Sequence, residues 1–172
     1  MRIKIIVIII ASFITSCSVQ RKIIFGKNSY ARLPYKATEL TKEQIAKENE
    51  VSWEYPLSTP EHIKHFYKSN GVLLSFSDPM PVDPKGDSLE KFKKGLDASL
   101  LKGENKHTTS LNDIGGNQVF LWKIESTQQW RFSFEVRNNT SQLRIRGAMN
   151  AQKQDSTKAE KILYDFFKGV KL

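Results

Sequence analysis

His62, His65 and His107 are the whole imidazole supply of the 172-residue chain. Two residues three apart share one face of a helix but point to opposite faces of a strand. His62 and His65, with Glu61 beside them, could therefore act together only on a helix. No H-E-x-x-H pattern is present to place them on a zinc-binding helix. Asp83-Pro84-Lys85-Gly86-Asp87 is acidic at both ends but lacks the ligand spacing of a calcium loop, and Asp87 is better used as a helix cap. No G-x-S-x-G, Walker loop or G-x-G-x-x-G occurs, and Gly115-Gly116 suits a turn better than a phosphate cradle. One cysteine excludes an intrachain disulfide and a zinc site built on two thiolates. The expectation is no metal, no cofactor and no catalytic set. A hydrolase or metal-dependent enzyme working through His62, His65 or His107 is the weaker alternative.

Charge is the more informative chemistry. With 27 Lys and Arg against 18 Asp and Glu, the formal net charge is +9. Lys123, Arg131, Arg137, Arg144 and Arg146 are expected together on the polar side of an antiparallel run. Such a basic face attracts anions. The competing reading is an ordinary amphipathic sheet showing charge to water, partly neutralised by Glu125 and Glu135.

The elements that must position these residues begin with a leader. Met1-Arg2-Ile3-Lys4 is a short positive segment, and Ile5 to Ile10 is an unbroken apolar run extended by Ala11, Phe13 and Ile14. That run is shorter than the ~20 apolar residues a spanning helix needs, and its flanks fit a secretory signal. It ends in Ile14-Thr15-Ser16-Cys17, which resembles the bacterial lipobox. The resemblance implies cleavage before Cys17, a diacylglyceryl thioether on its sulfur and an acylated amine. It also implies a mature chain without Arg2 and Lys4, leaving 25 basic and 18 acidic residues, a net of +7. Ser18 resembles an outer-membrane sorting signal. The expected organisation is a signal peptide over 1–16, lipid anchor and flexible tether over 17–50, and one domain over 51–172. Arg21, Lys22 and Lys27 fall close enough to the anchor to touch anionic head groups. A composition of 39% hydrophobic and 26% charged residues fits such a domain, not a disordered or multi-span chain.

Within the domain, Thr41-Lys42-Glu43-Gln44 has capping-box spacing and predicts a helix from Lys42 to about Asn49. Val51 to Tyr55 alternates as a half-buried strand does. Residues 61–78 read either as a helix after Thr59-Pro60 or as a hairpin around Asn70-Gly71; the hairpin, pairing Ile63–Ser69 with Val72–Ser77, is favoured. Three prolines in 78–84 exclude regular structure there. Asp87 then caps a helix to about Lys102, with Leu89, Phe92, Leu96 and Leu100 as its buried stripe and Gly103 as its stop. A short strand over Thr108–Leu111, a turn over 112–116 and a strand over Val119–Glu125 follow. Phe120, Trp122 and Ile124 share one face of that strand. Trp130, Phe132, Phe134 and Val136 alternate with polar residues in the clearest strand, which Asn138 to Ser141 turns back. If Arg137 faces Gln142, then Glu135 faces Arg144 and Phe132 faces Gly147. Asp155 caps a last helix whose Ala159, Ile162, Leu163, Phe166, Phe167 and Val170 form one apolar face. The order predicts an α+β domain, an antiparallel sheet with helices packed on one face.

Gly71-Val72-Leu73-Leu74-Ser75-Phe76-Ser77-Asp78-Pro79, the later turn Asn112 to Asn117 and the closing helix resemble PsbP-like domains over about residues 60–172. The resemblance implies a mostly non-enzymatic domain with lipoprotein relatives. The expected protein is a bacterial outer-membrane lipoprotein, lipid-anchored and facing either side, that binds an envelope protein or an anionic envelope component. Its export argues against nucleic acid. An immunity or inhibitor protein against a secreted toxin is the alternative.

Overall fold

The computed structural model describes residues 20–50, 61–83, 85–86, 88–100 and 106–172, with backbone only at 49–50 and 99–100. Cys17 and the leader, the expected strand at 51–55, Asp87 and Gly103 lie outside the described residues. The chain enters through short strands β1 (Lys22–Ile24), β2 (Tyr30–Arg32) and β3 (Thr38–Glu39) and helix α1 (Lys42–Glu50). Hairpin strands β4 (Ile63–Ser69) and β5 (Val72–Ser77) follow, then the two-residue β6 (Met80–Pro81) and helix α2 (Leu89–Leu100). A meander of β7 (Lys106–Ile114), β8 (Asn117–Glu125), β9 (Gln129–Asn138) and β10 (Leu143–Gln152) leads to helix α3 (Ser156–Gly169) and strand β11 (Val170–Lys171). This is the expected α+β fold with an antiparallel sheet. Its main sheet runs β3-β4-β5-β10-β9-β8-β7, with β6 also on β10.

Local chemistry explains most of these elements. Asn70 and Gly71 adopt φ of 51° and 82°, the left-handed pair of a type I′ turn, so residues 63–77 are the hairpin and not the alternative helix. Gly115 and Gly116 repeat the device at φ of 61° and 81°. The turn is thus only those two residues. Asn112, Asp113 and Ile114 belong to β7, a nine-residue strand rather than the short one expected. The capping box forms at α1: the Thr41 N–H donates to Gln44 Oε1 at 2.8 Å and the Gln44 N–H to Thr41 Oγ1 at 3.3 Å. At α2 the Ser88 hydroxyl oxygen accepts from the Lys91 N–H at 3.2 Å. Asp155 stands at the N-cap of α3 but makes no side-chain capping bond. The prolines of 78–84 do not exclude regular structure as expected: Met80 and Pro81 form β6 on β10, where Pro81 faces Leu143 at an edge position that tolerates its missing N–H.

Larger departures from expectation concern the start of the folded body, one strand register and the placing of the helices. Residues 22–40 are no tether: β2 pairs with β11, β3 pairs with β4, and Ala31 and Leu33 are fully buried. The folded body therefore starts some thirty residues earlier, because these short strands draw their partners from far along the chain. The β9–β10 register is displaced by two residues, with Asn138 opposite Leu143, Glu135 opposite Arg146 and Phe134 opposite Gly147. The Asn138 side chain causes the shift: its Oδ1 accepts from the Thr140 N–H and the Ser141 N–H at 3.0 and 2.9 Å, so Asn138 stays in the strand and the loop is 139–142. An even shift keeps every side chain on its expected face.

The helices do not share the one face of the sheet expected of them but lie on both. α3 packs on one face of the sheet, where Phe134 meets Phe166 and Phe167 at ring-centroid distances of 5.8 and 5.2 Å and Phe76 meets Phe166 at 5.0 Å. Phe132, Val136, Ile145, Met149, Leu163 and Ala159 complete that core. α2 lies against the opposite face, where the edge of Phe92 contacts Phe120 at 5.3 Å and Gln118 donates to Glu90. The helices thus cover both faces, and α2 covers its face incompletely. Leu89 is buried, but Phe92, expected in the buried stripe, is 51% exposed.

Candidate functional site

The incompletely covered face carries the site. Along β9 and β10 the register sets Arg131 opposite Asn150, Ser133 opposite Ala148, Glu135 opposite Arg146 and Arg137 opposite Arg144. All four arginines therefore share the face on which α2 sits, as the alternation predicts. From β8, Phe120 stands opposite Glu135 and Trp122 opposite Ser133, so both rings join the same face. Together with Phe92 they wall a cavity of about 300 Å³ whose polar lining includes Arg131, Glu135 and Arg146. A second cavity of about 200 Å³ adjoins it, lined by Arg137, Arg144, Arg146, Glu135 and Asp83. Phe92 borders both.

Glu135 organises the cationic end. Its carboxylate is almost entirely buried. Arg137 Nε and Nη2 both donate to Oε1, at 3.0 and 2.6 Å, and Arg146 Nε donates to Oε2 at 2.6 Å. Arg144 Nη1 lies 3.9 Å from Oε1. Burial pushes the Glu135 carboxyl up, but the hydrogen bonds and charges of Arg137 and Arg146 outweigh it and hold the group below the usual carboxylate range. Burial, then the neighbouring Arg146, lower the Arg144 guanidinium against the opposing pull of Glu135 and Asp83. One carboxylate thus fixes two guanidinia while cancelling one charge. What remains is a preorganised cationic surface with N–H groups to spare.

Two donors here are orphaned. Arg144 Nε and Trp122 Nε1 are buried without a hydrogen-bond partner among the described residues. A buried donor left unpaired costs about 1–3 kcal/mol, and sites where such costs gather are sites that an acceptor-bearing ligand can relieve. Apolar rings beside fixed cations suit a molecule with an apolar body and a negative or strongly accepting group.

Of the basic residues expected on this face, Arg131, Arg137, Arg144 and Arg146 are brought together and Lys123 is not. Lys123 stands opposite Phe132, on the α3 side, with its Nζ 2.7 Å from Glu160 Oε1. It shares strand parity with Val119 and Leu121, not with Trp122. The histidines are separate. His65 stacks on Phe76 with ring centroids 5.0 Å apart, meets Phe25 edge-on and places Nε2 2.7 Å from Asp78 Oδ1; this ties β4 to the end of β5. His62 lines the larger of these two cavities. Among the described residues no three His, Cys, Asp or Glu side chains gather as a metal site. Asp83 Oδ1 accepts from the Lys85 N–H at 2.9 Å, an Asx turn. The aromatic wall escaped the sequence reading. Its signal was Val119-Phe120-Leu121-Trp122, apolar at both parities, which marks a strand covered on both faces. The chain matches no family model, and comparison with curated proteins gives no match.

Proposed function

We propose that the chain is the extracytoplasmic binding module of a lipid-anchored envelope protein, and that the cleft between α2 and the sheet takes an anionic envelope component with an apolar body. The observation that carries this reading is the arginine cluster held by buried Glu135 directly beside Phe92, Phe120 and Trp122. The resemblance to PsbP-like domains supports a binding role over a catalytic one. The order of parts ending in Ile14-Thr15-Ser16-Cys17 supports the anchor: an acyl chain contributes about 0.8 kcal/mol per buried CH₂, so two or more chains hold a domain durably.

The cleft is tested with 2-naphthoate and its neutral amide, an aromatic pair differing in charge. The wild-type chain should bind the carboxylate at least about tenfold more tightly, the effect of ~1.4 kcal/mol. Arg144→Met with Arg146→Met should erase that preference. Equal binding of acid and amide by the wild type would overturn the cleft reading. Persistent labelling of Cys17→Ala by a fatty-acid analogue would overturn the anchor.

A further inference from the structure

The small sheet β1-β2-β11 has an inner and an outer face. Ile23, Ala31 and Val170 turn inward, Ala31 and Val170 being buried in the core. Alternation then sends Lys22, Ile24, Tyr30, Arg32 and Lys171 outward. The register makes these residues neighbours: Lys22 faces Arg32, and Tyr30 lies between Ile24 and Lys171. Lys22 Nζ sits 4.7 Å above the Tyr30 ring and Arg32 Cζ 5.8 Å from it, so two of the cations are gathered around one aromatic ring. Ile24 is 76% exposed, an unusual setting for an isoleucine on a strand. No position on this outer face is acidic, and Lys27 adds a further exposed cation in the loop after β1. Cations, one tyrosine and one protruding aliphatic residue are the composition of a surface that meets a membrane interface.

Position along the chain points the same way. Lys22 stands five positions after Cys17, and extended chain spans at most about 3.6 Å per residue. A lipid on Cys17 would therefore hold β1 within about 18 Å of the bilayer. We propose that the outer face of β1-β2-β11 docks on anionic lipid head groups. Lys22, Arg32 and Lys171 contact phosphates, Ile24 enters the interface, and the domain is held with the arginine cleft on the opposite side of the main sheet. The proposal rests on the anchor part of the function proposed above and is independent of the cleft.

With Cys17 lipidated, Ile24→Cys supplies a single free thiol. So does Lys94→Cys on the exposed side of α2, across the main sheet. Each is labelled with bimane in the full processed protein and reconstituted into vesicles carrying a head-group nitroxide quencher. In phosphatidylcholine with phosphatidylglycerol, position 24 should be quenched several-fold more than position 94. In phosphatidylcholine alone, at high salt, or in the Lys22→Glu, Arg32→Glu, Lys171→Glu variant, the difference should collapse, since each head-group cation is worth about fivefold in surface affinity. Equal quenching at the two positions, or a difference indifferent to lipid charge in the wild-type background, would overturn the docking face. Intact mass reads the anchor separately: a bare Cys17 thiol overturns anchor and docking together, whereas a lipidated Cys17 with equal quenching overturns the docking face alone.

Discussion

Glu135 and Arg146 face each other across the β9–β10 ladder, and the Arg146 Nε–H reaches Glu135 Oε2 at 2.6 Å. The carboxylate is buried, hydrogen-bonded to the guanidinia of Arg137 and Arg146, and 3.9 Å from that of Arg144. Its removal leaves like charges facing one another in a poorly solvated place. Glu135→Gln should therefore cost about 3 kcal/mol in urea unfolding, the scale of a broken buried pair.

The same residue sets a pH dependence. The folded-state Glu135 carboxyl lies below its ordinary value of 4.5. Stabilisation from a depressed carboxyl is complete above the unfolded value and is lost as pH falls through the folded one. Wild-type stability should fall as pH drops below about 4.5, and Glu135→Gln should flatten part of that fall. Urea midpoints measured from pH 6 to pH 3 check the difference in slope.

Phe92 is half exposed yet borders both cavities. Phe92→Ala should weaken 2-naphthoate binding about five- to tenfold, the loss of one aromatic wall, while changing stability by less than about 1 kcal/mol. Lys123→Ala should leave binding unchanged, because Lys123 pairs with Glu160 on the other face. Titrations of the two variants side by side separate the faces.

Gly147 has no room for a side chain. A Cβ there would lie 2.3 Å from the Ser75 carbonyl oxygen and 2.4 Å from Phe134 Cζ. Gly147→Ala should cost about 2–3 kcal/mol through overpacking. Phe134→Leu in the same chain should recover only part of this, since the Ser75 contact is backbone. A double-mutant cycle on thermal unfolding measures the coupling.

Leu33 decides where the folded body begins. It is fully buried, so Leu33→Ala should destabilise the protein by about 2–5 kcal/mol. A residue in a flexible tether would tolerate the change without effect on the unfolding midpoint.

Turn chemistry and helix periodicity were legible in the residues themselves. Asn70-Gly71 specifies its hairpin through backbone sterics alone, and the apolar face of α3 repeats at helical spacing through Ala159, Leu163, Phe166 and Phe167. What escaped depends on distance or on choice among equals. Strands of two or three residues such as β1, β2 and β3 show no period, and β2 finds one of its two partners at Val170. Asn138 and Asn139 offer similar turn chemistry, and only the side-chain acceptance by Asn138 shows which one begins the loop. Of the basic face, Arg131, Arg137, Arg144 and Arg146 followed from strand alternation. Lys123 does not follow, because it is Phe120 and Trp122 that share the arginine side of β8.

Strand β2 takes Val170 against Ala31, and the final residue, Leu172, is itself buried. Segments near the two ends of the described residues are thus stitched into one small sheet. Val170 is synthesised long after Ala31, so β2 must wait for one edge until β11 has left the ribosome. Long-range closure of this kind makes acquisition of the native state late and all-or-none. Under the export proposed above, that delay would present a still unfolded chain to the translocation pore, the state such a channel admits.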